Sequence, residues 1–428
     1  MQKFLSVYFH FKNLKEVIKV KLLIKMASRN ILRNKRRSIL TLLAIIFATF
    51  LSIGMRGMQR GVYNLTISTA LDFFTGHLQI QEKNYNKKKS LRNCFKYNRQ
   101  LLNKVQNIEG VKAAAPRIMS AGLISYKNNS FGTAIFGIDP DKEKKCTTLL
   151  TRIKKGNFFY SDSSDEIVLG QTLFENLKAK IGDSIVLLAQ GYDGSMGNLK
   201  YKITGTVKTG SQQLDAMAAF IPFKSAQDLL LLYGKAHSIA IKLDNLEQVS
   251  LMKEKIIAEI PNKNLSVLSW QELLPELLQS IELDNISGIF FLAILIIVVA
   301  FGILNTVLMS VTERFREFGV ALAIGISNKK LMLIVMLETL FLVFIGLLIG
   351  NLIGYGIVYY FHYHPYIFTG DMAKMYEMYG FSPKLQTDLS IPVFLNTSIL
   401  ILITAVITSI YPLIKLFKLE ALKGIRYT

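Results

Sequence analysis

The side chains that could do chemistry are few and far apart. His362 and His364 stand two residues apart with Asp371 nearby, but a helical metal pair uses other spacing. The aromatic residues around them, Tyr359, Tyr360, Tyr363 and Tyr366, fit the belt that lines a membrane interface better. Cys94 and Cys146 are the two cysteines, and their positions allow either a disulfide or two free thiols. The chain has no GxxxxGK[ST], HExxH or CxxC, so it offers no Walker A cradle for ATP phosphates and no familiar zinc or redox motif. Isolated serines have no recognisable base. No catalytic, cofactor-binding or metal-binding residue is assigned, and energy for any work must come from elsewhere.

Charged residues held between apolar ones are the more informative chemistry. The segment ERFREFGVALAIGISNKK, Glu313 to Lys330, is wedged between two of the longest apolar runs in the chain. No ionisable side chain occurs from Asn285 to Thr312, and only Glu338 from Leu331 to Tyr360. Each run exceeds the roughly 20 apolar residues that a helix needs to cross hydrocarbon, so the segment is a loop pinned at a membrane face. Phe315, Phe318, Leu322 and Gly325/Ile326 recur at helical spacing, which predicts a short helix that offers an apolar stripe to something outside the bilayer. Glu338 is read as pairing with a neighbouring helix or reaching the interface rather than as a transport group.

These residues imply the elements that position them. Of the 428 residues 51% are hydrophobic, a share that ordinary soluble domains also reach, so clustering decides the class. Four apolar runs, Ser38 to Met55, Asn285 to Thr312, Leu331 to Tyr360 and Leu389 to Ile414, predict four transmembrane helices. Gly346, Gly350 and Gly354 fall on one face of the third, where another helix can approach closely. The net charge of +21 needs no nucleic acid, because much of it sits at the membrane ends. Eleven Lys or Arg precede Ser38 against the single acid Glu16, which puts the N-terminus in the cytoplasm. By the same rule both termini are inside and the block after the first span is outside.

The chain therefore divides into a basic amphipathic helix (1–37), a first span with a stalk (38–75), an outside domain (76–268), a second stalk and span (269–312), the charged segment (313–330), a third span (331–361), an outside loop (362–388), a fourth span (389–414) and an inside tail (415–428). The helix from Ser38 is expected to run on to Phe74, with Gly54, Gly57 and Gly61 weakening the join. Ser269 and Glu272 have capping-box spacing ahead of the second stalk, and Pro275 should bend or start it. The outside block alternates short β-prone runs with helical stretches, which makes it a mixed α/β domain.

The lead RNILRNKRRS (Arg29 to Ser38), GHLQIQ (Gly76 to Gln81), the segment ERFREFGVALAIG (Glu313 to Gly325), the glycine ladder and LEALKG (Leu419 to Gly424) together resemble the MacB/FtsX-type ABC transporter permeases. GIDP (Gly137 to Pro140), EIVLG (Glu166 to Gly170), IGD (Ile181 to Asp183), TGSQQLD (Thr209 to Asp215) and Ser269-Trp270 bring the resemblance nearest to the LolC/LolE lipoprotein-release permeases. The resemblance implies an inner-membrane protein without catalytic activity of its own. ATP and Mg would be bound by two copies of a separate cytoplasmic ATPase, and a second permease, the same or homologous, would complete the complex. Glu313, Arg314, Arg316, Glu317, Phe318, Ala323 and Gly325 would form the coupling helix that docks on the ATPase. Lipoprotein cargo would enter from the outer leaflet past Phe47, Phe50, Ile289 and Phe290 and pass to a periplasmic carrier. The alternative on the same fold is a mechanotransmission subunit for efflux or for control of a cell-wall hydrolase.

Overall fold

The structure, a computed structural model, describes residues 35–162, 164–260, 262, 264–378 and 382–418. The basic arm ahead of Lys35 and the LEALKG tail lie outside the described residues. The described chain forms two compact units, one of residues 35–62, 282–366 and 385–418, the other of residues 63–281 and 367–384.

The first unit is helical. Its helices are α1 (Lys35–Ala70), α2 (Pro275–Glu313), α3 (Phe315–Ala323), α4 (Asn328–Tyr363) and α5 (Ile391–Phe417), of which α1 and α2 extend by sequence into the other unit. Four of them, all but α3, are long and apolar enough to cross a membrane. Each buries only a stripe. Val299, Ile303, Val307 and Val311 recur every fourth residue along α2 and pack with Ile45 and Ala48 of α1, Val335 and Val343 of α4, and Ile401 and Ala405 of α5. The outward faces are as apolar as the core, with Phe301, Phe344 and Leu352 all more than 60% exposed. In water such faces would drive aggregation, whereas in lipid the stripe packs by shape and the outer face is solvated by hydrocarbon.

The glycines expected to weaken α1 do not break it, and at two of them, Gly57 and Gly61, close neighbours need the missing side chain. A Cβ on Gly57 would come within 3.0 Å of Val358, and one on Gly61 would overlap the carbonyl of Gln386. Asp388 N–H donates to Gly57 O at 2.8 Å, so the segment before α5 lies against the backbone of α1. Farther along the same unit, Arg56 donates to Gln59 Oε1 and Asn285 Oδ1, and Gln59 Nε2 donates to the Asp284 carbonyl, each at 2.9 Å. These polar contacts fasten α1 to α2 where the apolar runs end.

The second unit is built on a ten-stranded mixed sheet. Its strands are β1 (Leu78–Glu82), β2 (Val111–Tyr126), β3 (Asn129–Ile138), β4 (Ile153–Gly156), β5 (Glu166–Gly170), β6 (Ser184–Gln190), β7 (Met196–Val207), β8 (Ala218–Pro222), β9 (Ser238–Leu243) and β10 (Leu265–Ser269). Their order is β10-β1-β9-β2-β3-β8-β5-β7-β4, and β6 bridges β2 and β7. The pairs β3/β8 and β5/β7 are parallel and the others antiparallel. Along one edge the 16 residues of β2 serve two neighbours in turn, β9 along 111–117 and β6 along 122–125, while β3 pairs along the other edge over 117–126. Alternation explains how β2 is covered on both faces: Ala113 and Ala115 meet Cys146 and Ala240, while Ala114 and Ile118 enter the main core. Cys94 and Cys146 are both free thiols.

One sequence expectation needs correction here and one holds. The capping box at Ser269 and Glu272 is present, but it caps the single turn Trp270–Leu273 rather than the long helix. That helix begins afresh at Pro275, whose fixed φ and missing N–H suit a helix start.

Candidate functional site

The site is built where α2 hands over to α4. α2 ends at Glu313, Arg314 leaves helical geometry (φ −103°, ψ 9°), and α3 starts at Phe315 with Phe318 N–H bonded to Arg314 O at 2.8 Å. At its far end Gly325 adopts φ +98°, and its N–H bonds to Leu322 O at 2.9 Å. Only glycine takes this backbone at low cost, which closes the helix. Ser327 then precedes α4.

The apolar stripe of α3 points inward. Phe315 and Phe318 are 5% and 3% exposed and join the helical core, with Gly319 buried beside them. The expectation that this stripe faces a partner is therefore corrected for Phe315 and Phe318, since burying two rings among Val311, Leu331 and Leu416 gains more than presenting them to solvent, while Leu322 is half-buried and Gly325 and Ile326 at the far end are exposed. Arg316, Glu317, Val320, Ala323 and Ile324 are the exposed residues. Ile324, at 77%, is among the most exposed large apolar residues of the chain. Val320 and Ile324 were not singled out from the sequence, although their spacing of four from Arg316 would have placed them on the face opposite the phenylalanines. Glu313 and Gly325 are exposed at the two ends.

Arg314 ties this short helix down. Its Nε donates to Glu317 Oε2 of α3 at 3.2 Å, its Nη1 to Glu338 Oε2 of α4 at 3.0 Å, and its guanidinium carbon lies 4.9 Å from the Phe318 ring centre. The Arg314 and Glu338 side chains are 14% and 13% exposed, so the pair is largely removed from solvent. Glu338 also lines a pocket of about 20 Å³ shared by Thr41, Thr306, Ser310 and Thr339 with the apolar side chains of Ile45, Ile303, Val307, Val335, Leu342 and Val343. Thr41 and Thr306 are hydrogen-bonded to each other, which links α1 to α2 beside the pocket.

The glycine ladder of α4 lies against α1. A Cβ on Gly346 would come within 2.6 Å of Ile45, one on Gly350 within 2.6 Å of Thr49, and one on Gly354 within 3.0 Å of Ile53. None of Phe47, Phe50, Ile289 and Phe290 lines the pocket. Phe47, Ile289 and Phe290 are at least 50% exposed, and the rings of Phe47 and Phe50 meet edge-on at 5.2 Å. His362 Nδ1 lies 2.6 Å from Thr387 O, and His364 stacks on Tyr360. Both rings thus have structural neighbours.

The model of the MacB-like periplasmic core domain matches residues 38–259, and that of the FtsX-like permease C-terminal region matches residues 289–421. The chain belongs to the MacB/FtsX-type permease family. Within this permease the charged segment, α4, its glycines and α5 all fall inside the FtsX-like match. The lipoprotein-releasing system transmembrane protein LolC of Neisseria meningitidis serogroup B is 26% identical over 262 residues, 60% of this chain and 63% of that protein. LolC of Buchnera aphidicola subsp. Schizaphis graminum is 24% identical over 386 residues, 88% and 90% of the two chains. The macrolide export ATP-binding/permease protein MacB of Wolinella succinogenes is 22% identical over 353 residues, 78% of this chain and 52% of that one.

Proposed function

We propose that this permease is the membrane subunit of an ABC transporter that extracts lipoproteins from the inner membrane, driven by ATP hydrolysis in a separate subunit. The observation that carries the reading is the exposed face of α3: a charged and apolar patch, Arg316, Glu317, Val320 and Ile324, carried between two helices long enough to span a bilayer. Such a patch suits a protein partner better than water. With α1, α2, α4 and α5 crossing the membrane and the termini inside, α3 lies in the cytoplasm and the β domain in the periplasm. ATP and Mg belong to two ATPase subunits docked on α3, while a second permease, identical or homologous, completes the transporter. Closure of the ATPases draws the two α3 helices together, and the long helices α1 and α2 carry the motion outward.

The cargo assignment rests on the LolC relatives, which cover up to 90% of their own length. Acylated cargo is costly to extract, at about 0.8 kcal/mol per CH₂ group left without a partner, so a periplasmic carrier has to receive it. Phe47, Ile289 and Phe290, exposed on α1 and α2, with the half-buried Phe50 beside them, form the entry route between paired permeases. The match to MacB favours a second reading, in which the same fold transmits force for efflux or for a cell-wall hydrolase.

Purification of the detergent-solubilised complex tests these readings together. An ATPase and a second permease as companions, with outer-membrane lipoproteins stranded in the inner membrane after depletion, is the expected result. Co-purification of an adaptor with an outer-membrane channel, or of a hydrolase, selects the second reading, and absence of any ATPase overturns both.

A further inference from the structure

The first long helix does not simply stop at Ala70. Its last residues widen into one π-helical turn, Leu71–Thr75, closed by Gly76 N–H on Leu71 O at 2.9 Å. Single wide turns recur at places with a job beyond continuing the helix. Here the β domain holds four consecutive residues of the turn from different sides. Leu71 enters the main core, while Phe73 sits in a second core with Ile138, Leu149 and Phe159. Asp72 accepts from Lys242 Nζ at 2.7 Å, and its carbonyl accepts the Thr148 N–H at 2.7 Å. Phe74 meets Phe136 edge-on at 5.1 Å.

A guanidinium covers each ring. Arg152 lies 5.0 Å from the centre of Phe73 and Arg117 only 3.8 Å from that of Phe74. Arg117 is fully buried, as is Glu143. Its Nε and Nη2 donate to the Glu143 carboxylate at 3.1 and 2.7 Å, the Thr147 hydroxyl donates to the same carboxylate at 2.6 Å, and Nη1 has no hydrogen-bond partner. A buried ion pair is often no more stabilising than apolar residues of its volume, so stability alone does not explain this one. What an apolar pair could not do is hold a flat cation face-on against one ring.

We propose that the turn Leu71–Thr75 is a fixed joint, in which Arg117, held flat by Glu143, is a positioning residue that locks residues 63–75 at the end of α1 to the β domain. Its purpose rests on the transport reading, since a joint that yielded there would lose motion sent along α1. The lock itself is a property of the chain and is tested without transport.

Spin labels at Asn64→Cys and Lys144→Cys, both exposed positions, are introduced into the full chain with Cys94→Ser and Cys146→Ala. Distances are measured in detergent, alone and with the ATPase in its ADP and ATP states. A single narrow distribution is expected, moving by less than about 2 Å between states, the scale of a rigid interface. Arg117→Met/Glu143→Leu, which keeps the volume apolar, is expected to broaden it, and Arg117→Lys to broaden it less. A wild-type distribution that shifts with nucleotide or has two peaks overturns the joint. Distributions in the variants as narrow as in the wild type overturn the role of Arg117. Should the chain bind no ATPase, the transport reading fails, while the chain alone still reports the lock.

Discussion

Two arginines in this chain have the same kinds of neighbour and are used differently. Arg314 and Arg117 each meet a glutamate and a phenylalanine ring. Arg314 divides its donors between Glu317 and Glu338 on two different helices, at 3.2 and 3.0 Å. Arg117 gives two donors to one carboxylate, is sealed from solvent, and lies 3.8 Å from its ring. An arginine shared between two carboxylates keeps one charged partner when it releases the other, whereas one fully desolvated on a single partner cannot move without stranding a charge. The same parts thus make a yielding connection in one unit and a fixed one in the other.

The largest expected effect is at the fixed connection. Arg117→Ala strands Glu143 and should cost the β domain about 3–5 kcal/mol, while Arg117→Met/Glu143→Leu should cost far less. The single tryptophan, Trp270, is buried in this domain, so its fluorescence during denaturation separates the two outcomes. Equal losses would remove the contrast between the arginines.

Acid tests whether the weak point of the β domain lies at that ion pair. Burial pushes the pKa of His237 down from 6.5 to about 4, against a smaller opposing pull from the Leu91 carbonyl 3.2 Å from its Nε2. The unfolded chain therefore binds the proton more readily than the folded one. This contribution is fully present above about pH 6.5 and is lost as the pH falls toward 4, on the order of 3 kcal/mol in all. Denaturation of His237→Phe followed against pH should show a flatter profile than the wild type over that interval.

At the yielding connection the effects should be smaller. Arg314→Ala leaves Glu338 without this partner and should destabilise the helical unit by about 2 kcal/mol, with a larger proportional loss of ATPase retention during purification. Glu317→Gln, which removes the more exposed carboxylate, should cost less than about 1 kcal/mol. If Glu317→Gln is as damaging as Arg314→Ala, Arg314 is no exchanging partner. Smallest in stability but decisive for docking is Ile324→Asp, which should leave the thermal transition unchanged, since the side chain is 77% exposed, while abolishing capture of the ATPase.

Much of this was legible in the residues. The apolar runs read directly as long helices, because composition over some 20 residues leaves few alternatives. The orientation of α3 was not, since an apolar stripe at helical spacing says which residues share a face and nothing about which way that face turns. Phe315 and Phe318 turn inward because Val311 and Leu331, on the flanking helices, offer them a core. In the β domain, AAFIP of β8 is buried at every position and so shows no alternation by which a sequence reading could place it. Arg117 was overlooked because a lone basic residue after AAAP reads as a surface position. Its partner Glu143 is 26 residues away, and only the fold joins them.

The glycine ladder has a further consequence. Gly346, Gly350 and Gly354 face Ile45, Thr49 and Ile53, and both series repeat every four residues. Sliding α4 along α1 by one helical turn, about 5.4 Å, would set glycine opposite the same series again. Such a contact grips sideways but is nearly blind to axial position, like a rail. Register must then be set by contacts that do not repeat, such as the Asp388 N–H on the Gly57 carbonyl and the Asn351 amide on Ser398.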